Sequence, residues 1–210
     1  MSTMTLPSVK LNLDEVYPGC LAVVIVARSG GGKDTMARSL REDIPDKVVQ
    51  IPSCTTRNER DDDKGKYRYM TDNEFEDHKK RGLFAWTACP YGTAQYGTLM
   101  EDLKKHLKPG QLAIIDVELN SAFEVHKQIG HAAYIIYLDV PEEQLLGRLQ
   151  KRDAALPAEH CQTRINGDKD WPQKIKDSNV FVHIVDNSDG RFEIAKAEII
   201  EALSRPPKYK

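Results

Sequence analysis

The sequence predicts an α/β fold, a mostly parallel sheet sandwiched by helices with a small inserted lobe, on three observations. Apolar strand-like runs alternate with capped, amphipathic helical stretches along most of the 210 residues. A glycine turn, Ala27-Arg28-Ser29-Gly30-Gly31-Gly32-Lys33-Asp34-Thr35, follows directly on an apolar run. One stretch, residues 53–97, is polar and then aromatic, breaks the alternation and reads as an insertion.

Residues 21–27 are apolar without interruption, as a strand buried on both faces requires. Residues 34–42 follow as a helix whose Met36, Ala37 and Leu40 share one face. Residues 47–51 form a second short strand. Residues 53–66 are polar and charged and are expected at the surface. Residues 67–70 are extended. Thr71-Asp72-Asn73-Glu74 is a capping box, so a helix runs from there to about Arg81. Residues 84–97 mix aromatics, Gly and Thr, which predicts short strands or turns, with Trp86 in the core of the small lobe.

Thr98-Leu99-Met100-Glu101 reads as a second capping box, opening a helix that stops before Pro109-Gly110. Residues 112–117 form a strand, 121–129 a helix and 133–140 a strand, with Tyr134 and Tyr137 as packing residues. Pro141 suits the first helical position, and Glu142 and Glu143 complement the dipole of a helix reaching Lys151. Residues 158–168 are helical, with Trp171 as a packing anchor where that helix ends. Residues 180–185 are the last strand and 191–204 the closing helix. The expected organisation is an N-terminal extension (1–19), a core (20–52 and 98–204), a lobe (53–97) and a tail (205–210).

Composition narrows the function. Hydrophobic residues make up 40% and charged residues 30%, and the net charge is −2. There is no basic field, so nucleic acid is not an expected partner. Cys20, Cys54, Cys89 and Cys161 lie far apart and form no ligand spacing, which argues against a zinc site or disulfide framework and for a reducing compartment. The longest apolar run is only about seven residues, so no membrane span is expected. Residues 1–19 lack a charged start followed by an apolar core and do not read as a secretory signal. A cytoplasmic protein, monomer or homodimer, acting on small molecules is the expectation.

The glycine turn carries the chemistry. Glycines let successive backbone N–H groups converge on phosphate oxygens, and the following helix adds its N-terminal positive charge. Lys33 reaches the phosphates as a mobile point charge. Ala27 stands where the usual pattern has its first glycine, and Asp34 where a Mg²⁺-binding Ser or Thr is usual, with Thr35 next to it. Moving a phosphoryl group between two anions needs cations on both sides of the transfer point. Lys33, the pair Arg57 and Arg60, and the set Arg148, Arg152 and Arg164 supply them, arginine being suited to two-oxygen contacts. Asp61-Asp62-Asp63 reads as a solvated loop, and the six histidines are isolated.

From residue 21 to about 203 the chain resembles the guanylate kinase family of nucleoside monophosphate kinases. The resemblance rests on Ser29–Thr35, Ser53-Cys54-Thr55-Thr56-Arg57-Asn58-Glu59-Arg60, Gly65-Lys66-Tyr67-Arg68-Tyr69, Tyr96-Gly97-Thr98, residues 115–120, residues 147–152 and Arg164. It implies a P-loop nucleotide kinase core, an acceptor-binding lobe and a lid over residues 148–172. ATP would be bound by Ser29, Gly30, Gly31, Gly32, Lys33, Asp34 and Thr35, with Asn187 bordering the adenine. Arg57, Arg60, Tyr67 and Tyr96 would hold the acceptor phosphate, and Ser53 and Thr98 would help read its base. Asp116 and Glu118 would face the acceptor or the Mg²⁺ shell. Lys33, Arg148, Arg152 and Arg164 would be catalytic, with Asp34 and Thr35 as metal ligands and ATP and Mg²⁺ as cofactors.

The stretch Leu83-Phe84-Ala85-Trp86-Thr87-Ala88 carries no carboxylate where the family has a guanine-pairing glutamate. Together with Lys33-Asp34 it also resembles the ribose 1,5-bisphosphate phosphokinases. GMP or dGMP is therefore the first expectation for the acceptor, and ribose bisphosphate or a modified nucleotide the alternative. A family member that has lost catalysis and serves as an interaction module is the reading from another class.

Overall fold

The computed structural model describes residues 11, 16, 19–59, 65–152 and 157–205. The chain begins with β1 (Ala22–Ala27), α1 (Lys33–Asp43), β2 (Val48–Gln50), β3 (Ser53–Thr55), β4 (Tyr67–Tyr69) and α2 (Asp72–Lys80). It continues through β5 (Phe84–Ala88), β6 (Tyr96–Leu99), α3 (Met100–His106), β7 (Leu112–Asp116), α4 (Leu119–Ile129) and β8 (Ala133–Asp139). The remainder is α5 (Glu142–Arg152), α6 (Ala158–Gly167), α7 (Trp171–Asp177), β9 (His183–Asp186) and α8 (Phe192–Leu203).

The main sheet has the order β2-β7-β1-β8-β9, and all its pairings are parallel. Strand alternation divides the core in two. Val23, Ile25 and Ala27 face Met36, Ala37 and Leu40 of α1 and Ala195, Ile199 and Leu203 of α8. Ala22, Val24 and Val26 face Leu119, Ala122 and Val125 of α4 and Trp171 and Ile175 of α7. β1 is buried along its whole length because both faces are covered, which is why its sequence shows no polar alternation. α5 and α6 pack on each other through Leu145, Leu149, Cys161 and Ile165.

The insertion forms a second sheet, β4-β3-β6-β5, which runs from Ser53 to Leu99. Its own small core is Cys54, Phe75 and Leu99, with the Phe75 and Phe84 rings stacked at 4.4 Å. The capping box predicted at Thr71 forms in both halves: Glu74 N–H donates to Thr71 Oγ1 at 3.2 Å, and Thr71 N–H to Glu74 Oε2 at 2.7 Å.

Four expectations are corrected. Residues 53–66 are not all surface, because β3 buries Cys54 and Thr55 completely. The Thr55 hydroxyl donates to the Gln95 carbonyl at 3.0 Å, which removes the desolvation cost of burying it. Thr98 does not cap α3. It lies in β6, and the cap position falls to Leu99, which makes no side-chain cap. Trp86 packs in the main core beside Ile51 and Leu103, not in the lobe's own cluster. Trp171 is a buried packing anchor of the main core, as expected, but it stands at the start of α7, with Pro172 in the first turn where the missing N–H costs nothing.

Candidate active site

The glycine turn joins β1 to α1 and is shaped from both sides. Gly30 and Gly32 have φ of +88° and +89°, values that only glycine adopts without strain. Gly31 N–H donates to the Arg28 carbonyl at 2.8 Å. Gly32 is the N-cap of α1 and offers no side-chain cap, and the first intrahelical bond runs from Met36 N–H to Gly32 O. The N–H groups of Lys33, Asp34 and Thr35 therefore sit ahead of the hydrogen-bonded helix, where an anion completes the helix end.

Contacts from distant parts of the chain brace the turn from behind. Asp168 Oδ2 accepts the Ser29 N–H at 2.9 Å, and Asn187 Nδ2 donates to the Gly31 carbonyl at 2.9 Å. Arg28, buried under the turn, pairs with Glu142 Oε2 at 3.0 Å and donates to the Ile165 carbonyl at 3.0 Å. The Asn187 amide is thus committed to the glycine turn, although its residue also borders the cleft.

In front of the turn lie four charges. Lys33 Nζ is 3.1 Å from Asp34 Oδ1 and 3.5 Å from Asp116 Oδ2. Lys66, from the edge of β4, pairs with both the same carboxylates. Burial by itself lowers the Lys33 pKa, but Asp34 and Asp116 outweigh it and Lys33 is held above its ordinary value, fully charged. Lys66 is raised in the same way, against burial, by Asp116 and Asp34. Burial raises Asp34, and the two ammonium groups more than reverse this, so its carboxyl is held well below the usual range. Asp116 Oδ1 also accepts from Gln50 Nε2 at 3.1 Å.

On the lobe side, Arg57 lies 4.9 Å from the centroid of the Tyr67 ring, and Tyr67 meets Tyr96 edge to face at 6.1 Å. Ser53 is half-buried on β3, and Thr98 is buried on β6. Thr55 and Thr56 clamp the loop before β6, the Gln95 N–H donating to Thr56 Oγ1 at 3.1 Å. On the other wall, Arg148 of α5 donates to Asp189 Oδ1 at 2.6 Å and to the Asn187 carbonyl at 3.0 Å. Arg152 and Arg164 stand further along α5 and on α6.

Lys33, Asp34, Lys66, Asp116, Arg57, Tyr67 and Tyr96, with the three arginines of α5 and α6, border one cleft of about 1350 Å³ at the carboxyl ends of the parallel strands, where open α/β sheets bind ligands. Every predicted site residue lines it except Arg60, which lies outside the described residues. Glu118 borders the cleft but spends its carboxylate as the N-cap of α4, accepting from Asn120 and Ser121 N–H at 2.9 and 2.6 Å. Sequence reasoning gave no role to Lys66, Arg28 or Asp168. The one local signal was Lys66 inside the Gly65-Lys66-Tyr67 motif.

Mg²⁺ prefers hard oxygen ligands and in nucleotide sites takes one or two carboxylates together with phosphate oxygens. Asp34 and Asp116, close enough to share Lys66, fit that need, with Thr35 beside them in the first turn of α1. Among the described residues no group of three or more His, Cys, Asp or Glu is arranged to hold a metal by itself. Nor is any helix of the described residues long and apolar enough to cross a membrane.

Comparison with known proteins gives the chain's family. The guanylate kinase family model matches residues 21–204. The chain is 31% identical over 133 residues to a guanylate kinase of Mycoplasma genitalium, covering 62% of this chain and 55% of that protein. It is 35% identical over 142 residues to a guanylate kinase of Anaeromyxobacter dehalogenans, covering 66% and 62%. The match to a Thermotoga maritima guanylate kinase is 27% over 173 residues, covering 81% and 82%. The matched region thus spans little more than half the length of the first two relatives. A crystal structure of guanylate kinase from Anaplasma phagocytophilum superposes with a TM-score of 0.64 at 18% identity, covering 87% of this chain and 84% of that one, a likeness of fold. With a family model matched over nearly its whole described length, the chain belongs to the guanylate kinase family.

Proposed function

We propose that the protein is an ATP-dependent nucleoside monophosphate kinase that transfers the γ-phosphoryl group to GMP or dGMP in line, without a covalent intermediate. One observation carries this reading: Lys33 on the glycine turn and the Arg57–Tyr67–Tyr96 group on the lobe open onto the same cleft. At about 1350 Å³ it exceeds the ~300–1,000 Å³ typical of a pocket for one small ligand, so it has room for a donor and an acceptor together.

The turn and the first N–H groups of α1 receive the triphosphate oxygens. Lys33, kept charged by its carboxylate neighbours, meets the charge that develops on the transferred group. Arg57, with Tyr67 and Tyr96, orients the acceptor phosphate, while Ser53 and Thr98 address its base. Arg148, Arg152 and Arg164 bring positive charge from the α5–α6 arm. Asp34 and Asp116 would hold a divalent cation, which supplies further charge neutralisation when bound. Positioning and neutralisation account for the whole rate effect in such a scheme, and no histidine or cysteine nucleophile is needed.

A coupled ADP-release assay with GMP, dGMP, the other nucleoside monophosphates and ribose 1,5-bisphosphate tests this. Turnover is expected with GMP or dGMP, and Lys33→Ala should lower kcat by about 10²-fold or more. Ribose bisphosphate is in the panel because β5 carries no carboxylate for guanine N–H groups. Turnover with it alone would replace the acceptor, and turnover with none would favour an interaction module.

A further inference from the structure

Lys66 belongs to the acceptor lobe by position, immediately before β4, but its ammonium group reaches across to the core. There it meets Asp34 in the first turn of α1 and Asp116 at the end of β7. The Lys66 side chain is 14% exposed and that of Asp116 only 2%. Asp116 Oδ2 is buried and takes no hydrogen bond of regular geometry, so what compensates it is the charge of Lys66 and, at 3.5 Å, of Lys33.

Two carboxylates sharing one small site repel each other unless a cation stands between them. Asp34 sits where a neutral hydroxyl residue is usual for such a turn, and by itself it would oppose an incoming phosphate. The two lysines bring the group of four to zero net charge. An oxygen-bearing pair of this kind is also what a hard divalent cation seeks.

We infer that Lys66 is a built-in counter-ion, whose ammonium fills the position between Asp34 and Asp116 that a divalent cation takes when the lysine is withdrawn. The ligand-free protein then binds a divalent cation at this pair only weakly, and tighter binding requires Lys66 to leave. This follows from the four residues alone and does not depend on which acceptor, if any, is phosphorylated.

The test is Mn²⁺ binding to the full, nucleotide-free chain, followed by electron paramagnetic resonance. Lys66→Met should bind Mn²⁺ about tenfold more tightly than wild type or more, because a full charge at contact distance has been removed. Lys66→Arg, which keeps the charge, should behave as wild type. Adding Asp34→Asn and Asp116→Asn to Lys66→Met should abolish the gain. Equal affinity of wild type and Lys66→Met, or a gain that survives loss of both carboxylates, overturns the inference. Should Lys66→Met not fold, acylation of wild-type lysines read by mass spectrometry decides instead. Lys66 should label far more slowly than the exposed Lys79, and labelling at the same rate overturns the inference.

Discussion

Asp168 and Ser29 are 139 positions apart, yet the Ser29 N–H donates to the Asp168 carboxylate at 2.9 Å. The bond ties the glycine turn that carries Lys33 to the end of α6, the helix that carries Arg164. Asp168 is 2% exposed, and truncating it takes the acceptor from the half-buried Ser29 N–H. Asp168→Ala should cost about 1–3 kcal/mol in urea unfolding. Asp168→Asn, whose amide oxygen can still accept, should cost less. Equal losses for the two variants would mean that the carboxylate acts there by charge and not as an acceptor.

Gly30 makes the same connection sterically. Its φ is +88°, and a Cβ there would lie 2.9 Å from the backbone oxygen of Leu145 in α5. Backbone of a packed helix cannot swing aside as a side-chain tip can. Gly30→Ala should therefore destabilise by about 1–3 kcal/mol through backbone strain alone. For a chain of this length that lowers the unfolding midpoint by about 2–4 °C per kcal/mol, readable by calorimetry. An unchanged midpoint would show that the turn relaxes out of its positive φ and that α5 yields as well.

The charged group of four predicts where stability does not depend on pH. Lys66 is raised above its ordinary 10.5, so what its ion pairs contribute is complete below that value and is lost as pH climbs through the higher folded one. Asp34 is lowered from its ordinary 3.8, so its part is complete above that value and fades as pH falls through the lower folded one. Between about pH 5 and pH 9 both are fully in place. The difference in urea midpoint between wild type and Lys66→Met should be flat across that window and should shrink above pH 10.5. A difference that changes near neutrality would point to another titrating group.

What the sequence discloses follows the range over which each feature is encoded. β1 and β8 are buried on both faces, and an unbroken apolar run is a local signature of that burial. The glycine turn is equally local, since conformation, cap and lysine all fall within residues 27–35. The Thr71 capping box needs only four neighbours. Lys66, by contrast, finds Asp34 at a separation of 32 residues, and Thr55 finds the Gln95 carbonyl at 40. No periodicity marks such pairs, so a polar strand like β3 reads as surface until its partners are known. Thr98 shows the opposite failure: the local capping pattern is present, but pairing with β5 claims the residue for a strand.

Arg57 gives the sharpest division between the two halves of the cleft. Its backbone N–H donates to Thr55 Oγ1 at 3.2 Å, its guanidinium donates to the Asn58 carbonyl at 2.7 Å, and the same group lies against the Tyr67 ring. These three partners, Thr55, Asn58 and Tyr67, all belong to the lobe. Under the kinase reading, Arg57→Ala should raise the acceptor KM by about 10- to 150-fold, equivalent to the ~1.5–3 kcal/mol of a charge-assisted hydrogen bond. The KM for ATP should stay within about twofold, because Lys33 and the turn hold the triphosphate without help from this side chain. Initial rates with both substrates varied separate the two constants. Equal weakening of donor and acceptor would place Arg57 at the transferred group itself, and a change confined to ATP would reverse the assignment of the two walls.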